Sequence, residues 1–404
     1  MMETCLRGFD SYKVMFIFLS WLFLLNEQAQ ADSIEVKNPR TLAVTHLAAQ
    51  RVPVGIREDY KPCIAKLSDG QLILTAFHSS QNGGVPQEYV FLHRSHDGGE
   101  TWSERERLDL YGREPYFSLV ADGSLLVTTH LLKRARGNDE GYVQSFLYRS
   151  IDAGKSWQPN RIRWQDIPGA REKAWIHTSR NALQLHDGTI LVGVSAKGGP
   201  DVLWKSQDGG ESWAAQSCAF EGVDPSKLWW PFWAETFLWQ TPSGDLIGLW
   251  RVDQKTFPMS SGDVSKATTD QHERLIVFRS TDGGAHWTRE KELGSVEGEM
   301  YPSILRLQDG RLLLTYTVRA AVASHQVPLG VRAVLGVESD DGFRFDFEND
   351  IIMLDTKTPQ QEGMHSGGGF GPTVQLDDGS LVTAYSYRSE DTKHQVEVVR
   401  WRLP

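Results

Sequence analysis

The stretch Ser95-His96-Asp97-Gly98-Gly99-Glu100-Thr101-Trp102 decides how the chain folds, because its pattern returns three more times. Ser150, Asp152, Gly154 and Trp157 repeat it, as do Ser206, Asp208, Gly210 and Trp213, and Ser280, Asp282, Gly284 and Trp287. The shared form is Ser-x-Asp-x-Gly-x-x-Trp. Its physics is that of a hairpin turn: the carboxylate accepts hydrogen bonds from its own turn's backbone, glycine takes the conformation other residues resist, and tryptophan packs beneath. These aspartates therefore read as structural. A degraded copy, Ser339, Asp341, Gly342 and Phe343, follows, and the last repeat has none.

A second pattern alternates with the first. An apolar run, Leu-x-Asp-Gly or a close variant, then another apolar run occurs six times, at 62–77, 115–129, 181–195, 235–250, 302–318 and 372–387. Its glycines are Gly70, Gly123, Gly188, Gly244, Gly310 and Gly379. Asp-Gly between two strand-forming runs is a hairpin signal, since glycine accepts the positive φ of a tight turn. The glycines lie roughly 50 to 70 residues apart, which leaves room for four strands and their loops in each repeat.

The octapeptide resembles the Asp-box, or BNR, repeat of the sialidase (neuraminidase) superfamily, and its alternation with the hairpins is similar to the blades of that family's six-bladed β-propeller. The resemblance covers roughly residues 33–404 and implies an all-β chain, with 32–404 as one sialidase-like propeller domain. The last repeat has strands near 373–376, 380–387 and 395–402 and then the chain ends, one strand short. The otherwise unassigned segment 40–49 is expected to supply the fourth, so that an N-terminal strand closes the propeller and covers an open edge.

Composition agrees with a packed globular domain. Of 404 residues, 40% are apolar, 23% charged and 10% aromatic, and the net charge of −10 disfavours nucleic acid as a partner. Three cysteines build no disulfide scaffold, and none has zinc-ligand spacing, so neither a metal nor another cofactor is expected. Arg7 and Lys13 precede an apolar run at 14–25, followed by Ala29-Gln30-Ala31, the small-x-small pattern of a cleavage site. Residues 1–31 therefore read as a signal peptide cleaved after Ala31, and the protein as secreted or periplasmic. The run is shorter than the roughly 18 to 20 apolar residues that cross a bilayer. Nothing later spans one.

In a propeller, loops entering the innermost strands converge on the axis, so site residues are expected before the first strand of each repeat or after the second. Polar residues recur there: Arg57, Glu58, Asp59, Tyr60 and Lys61; Arg113, Glu114 and Tyr116; His177, Ser179 and Arg180; Glu235 and Arg251; Tyr301, Arg319 and Arg332; His365, Ser366 and Arg388. The resemblance implies three arginines on a substrate carboxylate, a tyrosine nucleophile polarised by a glutamate, and an aspartate as proton donor, the family being an exception to the two-carboxylate rule. Glu235 and Arg251 are similar to its glutamate and second arginine, and Arg332 to its third. The chain departs elsewhere. Tyr60 stands where the first arginine belongs, with Arg57 or Lys61 as substitutes; 78–88 has no aspartate, leaving Glu88 or Asp59; and 369–372 has no tyrosine, whereas Tyr301 sits at the equivalent place one repeat earlier.

The expected catalytic set is thus Glu235, Tyr301 and Asp59, with Arg57, Arg251, Arg332, Arg180, His177, His365 and Trp233 binding substrate. Trp233 ends an aromatic run, 229–233, whose indole faces suit a pyranose. The resemblance implies a glycan or oligosaccharide as substrate and a secreted sialidase-like glycoside hydrolase releasing a terminal, acidic sugar. Two other readings stay open: a propeller lyase in which Tyr301 or Tyr60 with His177 or His365 removes the proton beside a uronate carboxylate, and a non-catalytic glycan-binding propeller.

Overall fold

A computed structural model of the chain describes residues 33–37, 44–82, 84–223, 231–253, 273–293, 299–319, 329–340, 342–348, 351–360, 366, 369–391 and 393–403. The fold is all-β, and among the described residues there is no α-helix, only a single 3-10 turn at Trp164–Asp166. The signal-peptide segment and His365 lie outside the described residues.

All six hairpins form where the turn glycines place them, five at Asp-Gly and the fourth at Ser243-Gly244. Asp59–Lys66 pairs antiparallel with Leu72–Asn82, Arg113–Leu119 with Leu125–Leu131, and Leu183–Gln184 with Ile190–Ala196. Phe237–Gln240 pairs with Leu246–Asp253, Glu299–Arg306 with Leu312–Val318, and Gly369–Gln375 with Leu381–Arg388. Each turn glycine has the positive φ its position demands, from 81° at Gly379 to 98° at Gly244. The first four repeats form separate sheets of four or five strands.

The last two repeats share one ten-stranded sheet. Ser33–Lys37 joins them, pairing on one side with Ile351–Met353 and on the other with Val44–Val54. The N-terminal strand does lie beside the last strand, but mostly through residues 50–54; of the described residues within 40–49 only Ala49 pairs with it. Ala49 opposes Trp401 and Val54 opposes Val396, while residues 44–48 pair with Ser33–Lys37. The shift follows from hydrogen-bond satisfaction, since Ser33–Lys37 offers the first half of the long strand an edge of its own.

The inner strands meet in sequence order. Asp59–Lys66 packs on Arg113–Leu119, Phe237–Gln240 on Leu183–Gln184 and on Glu299–Arg306, and Gly369–Gln375 on both Glu299–Arg306 and Asp59–Lys66. The second and third repeats are tied by hydrogen bonds from Ala182 N–H to Ser118 Oγ (2.9 Å) and from Thr128 Oγ1 to the Arg180 carbonyl (2.7 Å). The largest apolar cluster takes Cys63, Phe117, Phe237, Ile304 and Phe370 from these inner strands, so one core lies beneath their entry points.

The boxes are turns locked by their own side chains. In the first, Ser95 Oγ donates to Asp97 (2.8 Å), and the carboxylate accepts from the Thr101 N–H (2.9 Å). Gly99 N–H donates to Ser95 Oγ (2.9 Å), and Trp102 Nε1 to the Gly99 carbonyl (3.2 Å). The other three repeat the Ser-to-Asp and Gly-to-Ser bonds. Partial burial opposes it, but the bonds donated by Thr101 and Ser95 bring the Asp97 carboxyl down to about 2.

Candidate active site

Four inner strands carry an irregularity near their entry. The ladder shifts between Tyr60 and Cys63, between Arg113 and Tyr116, between Met300 and Ser303, and between Phe370 and Thr373. Each shift contains a non-glycine residue with positive φ: Lys61 (49°), Glu114 (55°), Tyr301 (55°) and Phe370 (76°). Glu235, at the entry of the fourth repeat, has φ 66°. A bulge re-aims the side chain it frees, and such backbone concentrates where function demands it. Pro62, Pro115 and Pro302 follow three of these residues, consistent with a ladder position that donates no hydrogen bond.

Lys61, Glu114, Glu235 and Tyr301 thereby converge with Arg180 on a cavity of about 300 Å³. Arg180 is its centre. Its guanidinium donates two 3.0 Å bonds to Glu114 Oε2 and one of 2.5 Å to Glu235 Oε1. Lys61 Nζ pairs with Glu114, and Arg251 with Glu235. Arg113 reaches Glu114 at 3.4 Å and Glu88 at 3.3 Å. Arg319 donates to the Tyr301 hydroxyl at 3.0 Å. The Tyr301 ring stacks on Phe370 at 4.7 Å and lies under Arg180 at 4.8 Å.

Five cationic side chains, Lys61, Arg113, Arg180, Arg251 and Arg319, thus line the cavity against two carboxylates. In a chain of net charge −10 this is a local positive field shaped for an anion. Burial alone would raise both carboxyls, but their cationic partners outweigh it: Lys61 and Arg180 hold Glu114 well below the usual range, and Arg180 and Arg251 hold Glu235 low. Burial, with Glu235 and Glu114 adding to it against Arg319, keeps the Tyr301 phenol raised and protonated.

Neutral residues share the lining: Thr128, His130, Trp175, His177 and Thr178, with His130 4.0 Å from Glu114. Burial brings His177 down to about 3 and His130 to about 4, so both imidazoles are uncharged at neutral pH. The lining therefore offers cations for a carboxylate together with neutral groups for hydroxyls and the face of a ring.

Of the expected site residues, Glu235, Tyr301, Arg251, Arg180 and His177 meet in this cavity. The remaining described ones lie elsewhere. Asp59 is fully buried; its carboxylate accepts from the Ile56 N–H (2.9 Å), bonds His78 Nδ1 (2.8 Å) and lies 3.5 Å from Arg105. Arg57 is exposed and paired with Asp391. Arg332 is fully buried in Gly330–Ser339, opposite Tyr316 and Met353, and does not line the cavity. Trp233 belongs to the core: a Cβ on Gly193 would lie 2.3 Å from its ring, and Phe232 and Trp287 pack edge-on against it. Trp175 is the indole that reaches the cavity.

Trp175 and His130 were not singled out from the sequence. His130 follows the second strand's apolar run, the register of Arg251 and Arg319, so its signal was present; Trp175 had none beyond lying two residues before His177.

Comparison with known proteins agrees with this architecture. The model of the BNR/Asp-box repeat matches residues 93–104. Among solved structures, a Dyadobacter fermentans protein of unknown function superposes with a TM-score of 0.63 at 22% identity, over 88% of this chain and 99% of its own. A leech intramolecular trans-sialidase superposes at 0.58 with 12% identity, over 85% and 68%. An α-L-arabinofuranosidase from Fusarium graminearum does so at 0.52 with 12% identity, over 92% and 98%. A Paenibacillus xyloglucanase is 28% identical over 183 residues, 42% of this chain; the match spans only 15% of that protein's length. The chain thus carries a BNR/Asp-box repeat and has an all-β fold similar to that of the leech trans-sialidase and the Fusarium arabinofuranosidase.

Proposed function

We propose that the chain is a secreted, six-bladed propeller glycosidase, closed by its N-terminal strand, that releases a terminal acidic sugar from a glycan. The observation that carries this reading is the cavity itself, where Arg113, Arg251 and Arg319 stand beside Tyr301 and Glu235. Arginine's planar fork binds a carboxylate bidentately. Tyr301 serves as nucleophile, Glu235 takes its proton, and Arg319 stabilises the developing phenolate. A neutral phenol spares an anionic sugar the repulsion a carboxylate nucleophile would impose. The sialidase and arabinofuranosidase neighbours support glycoside chemistry in general, and the charge of the cavity supports an acidic sugar. Export with cleavage after Ala31 belongs to the same proposal, and N-terminal sequencing of protein recovered outside the cell tests it.

The decisive assay offers sialylated and uronate-containing glycans to the purified protein. Hydrolysis gives a new reducing end. Glu235→Gln should lower turnover at least a hundredfold, while Arg251→Lys should raise KM more for an acidic substrate than for a neutral one. Release of only an unsaturated, ultraviolet-absorbing uronate would instead establish elimination. Binding without either product would establish a lectin.

A further inference from the structure

Hydrolysis needs a proton for the departing oxygen, and neither carboxylate expected to supply it lines the cavity: Glu88 lies behind it, 3.3 Å from Arg113, and Asp59 is fully buried and engaged by Ile56, His78 and Arg105. The cavity's own carboxylates, Glu114 and Glu235, are held ionised by their arginines. A donor must come from another group lining the same space.

We propose that Lys61 is that group: its ammonium protonates the leaving glycosidic oxygen, and its neutral amine then takes a proton from the attacking water. This rests on the hydrolase reading above. Lys61 is buried yet lines the cavity, and its bulged backbone aims the side chain inward. Its N–H donates to Ser386 Oγ at 3.1 Å, which anchors the bulge. Nζ lies 5.0 Å from the Tyr301 ring centroid, beside the nucleophile, and pairs with Glu114.

The groups around it set both protonation states within reach. Glu114 and Arg113 face it from Arg113–Leu119, Glu235 from the entry of the fourth repeat, and Arg319 from the end of the fifth repeat's hairpin. His130, Glu88 and His394 interact with it from farther off. Burial brings the ammonium down to about 7, with Arg319 and Arg113 acting in the same direction against Glu114 and Glu235. A shuttle works best when its two forms balance near the working pH.

The step balances. The bond between the anomeric carbon and the leaving oxygen breaks, its electron pair stays on that oxygen, and Lys61 supplies the proton. Tyr301 Oη bonds the anomeric carbon and loses its proton to Glu235. Water then attacks the same carbon, giving its proton to the Lys61 amine, while Tyr301 departs and recovers its proton from Glu235. One water is consumed and every residue returns to its starting state.

The test compares two leaving groups on the same acidic sugar, N-acetylneuraminic acid first and uronic acids next: a 4-nitrophenyl glycoside, whose leaving oxygen needs little protonation, and an alkyl glycoside, which needs it fully. Lys61→Arg keeps the charge but cannot give up a proton near neutral pH. It should lower kcat/KM, which reports the loss of the leaving group and not the later attack of water, by about 10²–10⁴-fold on the alkyl glycoside and far less on the nitrophenyl one. The wild type is expected to lose kcat/KM as pH rises past about 7, and the residual activity of Lys61→Arg should lack that fall. Lys61→Met gives the same comparison should the arginine fail to fold. Equal losses of kcat/KM on both substrates, or an unchanged pH limb, overturn the assignment of Lys61. A wild type that hydrolyses neither overturns the hydrolase reading instead.

Discussion

Lys61, Glu114, Glu235 and Tyr301 each pair a cavity-lining side chain with a left-handed backbone, at a cost of about 1–3 kcal/mol apiece that the surrounding ladders hold in place. Nothing in local preference selects those conformations, which is why the residues were legible as polar loop positions but their convergence was not. The neutral histidines are a second consequence of burial. His177 titrates near 3 in the fold, against an ordinary value near 6.5. Between these values the unfolded chain binds the extra proton, so stability rises with pH across that window and is lost as pH falls through it. His177→Gln should therefore flatten the dependence of unfolding free energy on pH between about 4 and 6, by up to about 1.4 kcal/mol per pH unit for one proton. Chemical denaturation at several pH values measures it, and an unchanged slope would show that His177 is not held neutral.

At the scale of the hairpin, the Asp-box is self-contained. Asp208 accepts from the Glu211 and Ser212 N–H groups at 3.1 and 2.9 Å and from Ser206 Oγ at 2.8 Å, and none of these partners lines the cavity. Asp208→Ala should lower the melting temperature, because the turn's donors lose their acceptor, while turnover per folded molecule stays at the wild-type level. A folded but inactive variant would mean that the box acts on the site. Such turns were readable because both partners of every bond fall within a few residues. The bulged inner strands were not, although proline after Lys61, Glu114 and Tyr301 marked the ladder positions where regular pairing stops.

Over the whole molecule, Arg51 binds the ends together. Its guanidinium donates to the Tyr385 hydroxyl (2.7 Å), to Glu397 (2.9 Å) and to the carbonyls of Ser33 and Leu354 (2.8 Å each), joining the N-terminal strands to the last two repeats. Arg51 and Glu397 are nearly inaccessible to solvent, so opening this junction would strand buried charge. Deleting residues 32–54 should expose the edge of His394–Trp401, leave Glu397 without Arg51 and lower the melting temperature sharply, as calorimetry would record. An unchanged curve would count against closure by the N-terminus. The sequence by itself determined the all-β class, the six hairpins and the four boxed turns, since each is a contest between neighbouring residues that Asp, Gly and Trp settle locally. It also marked the ring of polar entry positions. Only the tertiary structure decided that Arg180 would join Glu114 to Glu235, that Lys61 would share the cavity while Asp59 and Arg332 were buried outside it, and that Trp175 rather than Trp233 would face the space. Those outcomes depend on how strands from different repeats pack and how their bulges turn side chains, and no single stretch of chain contains that information.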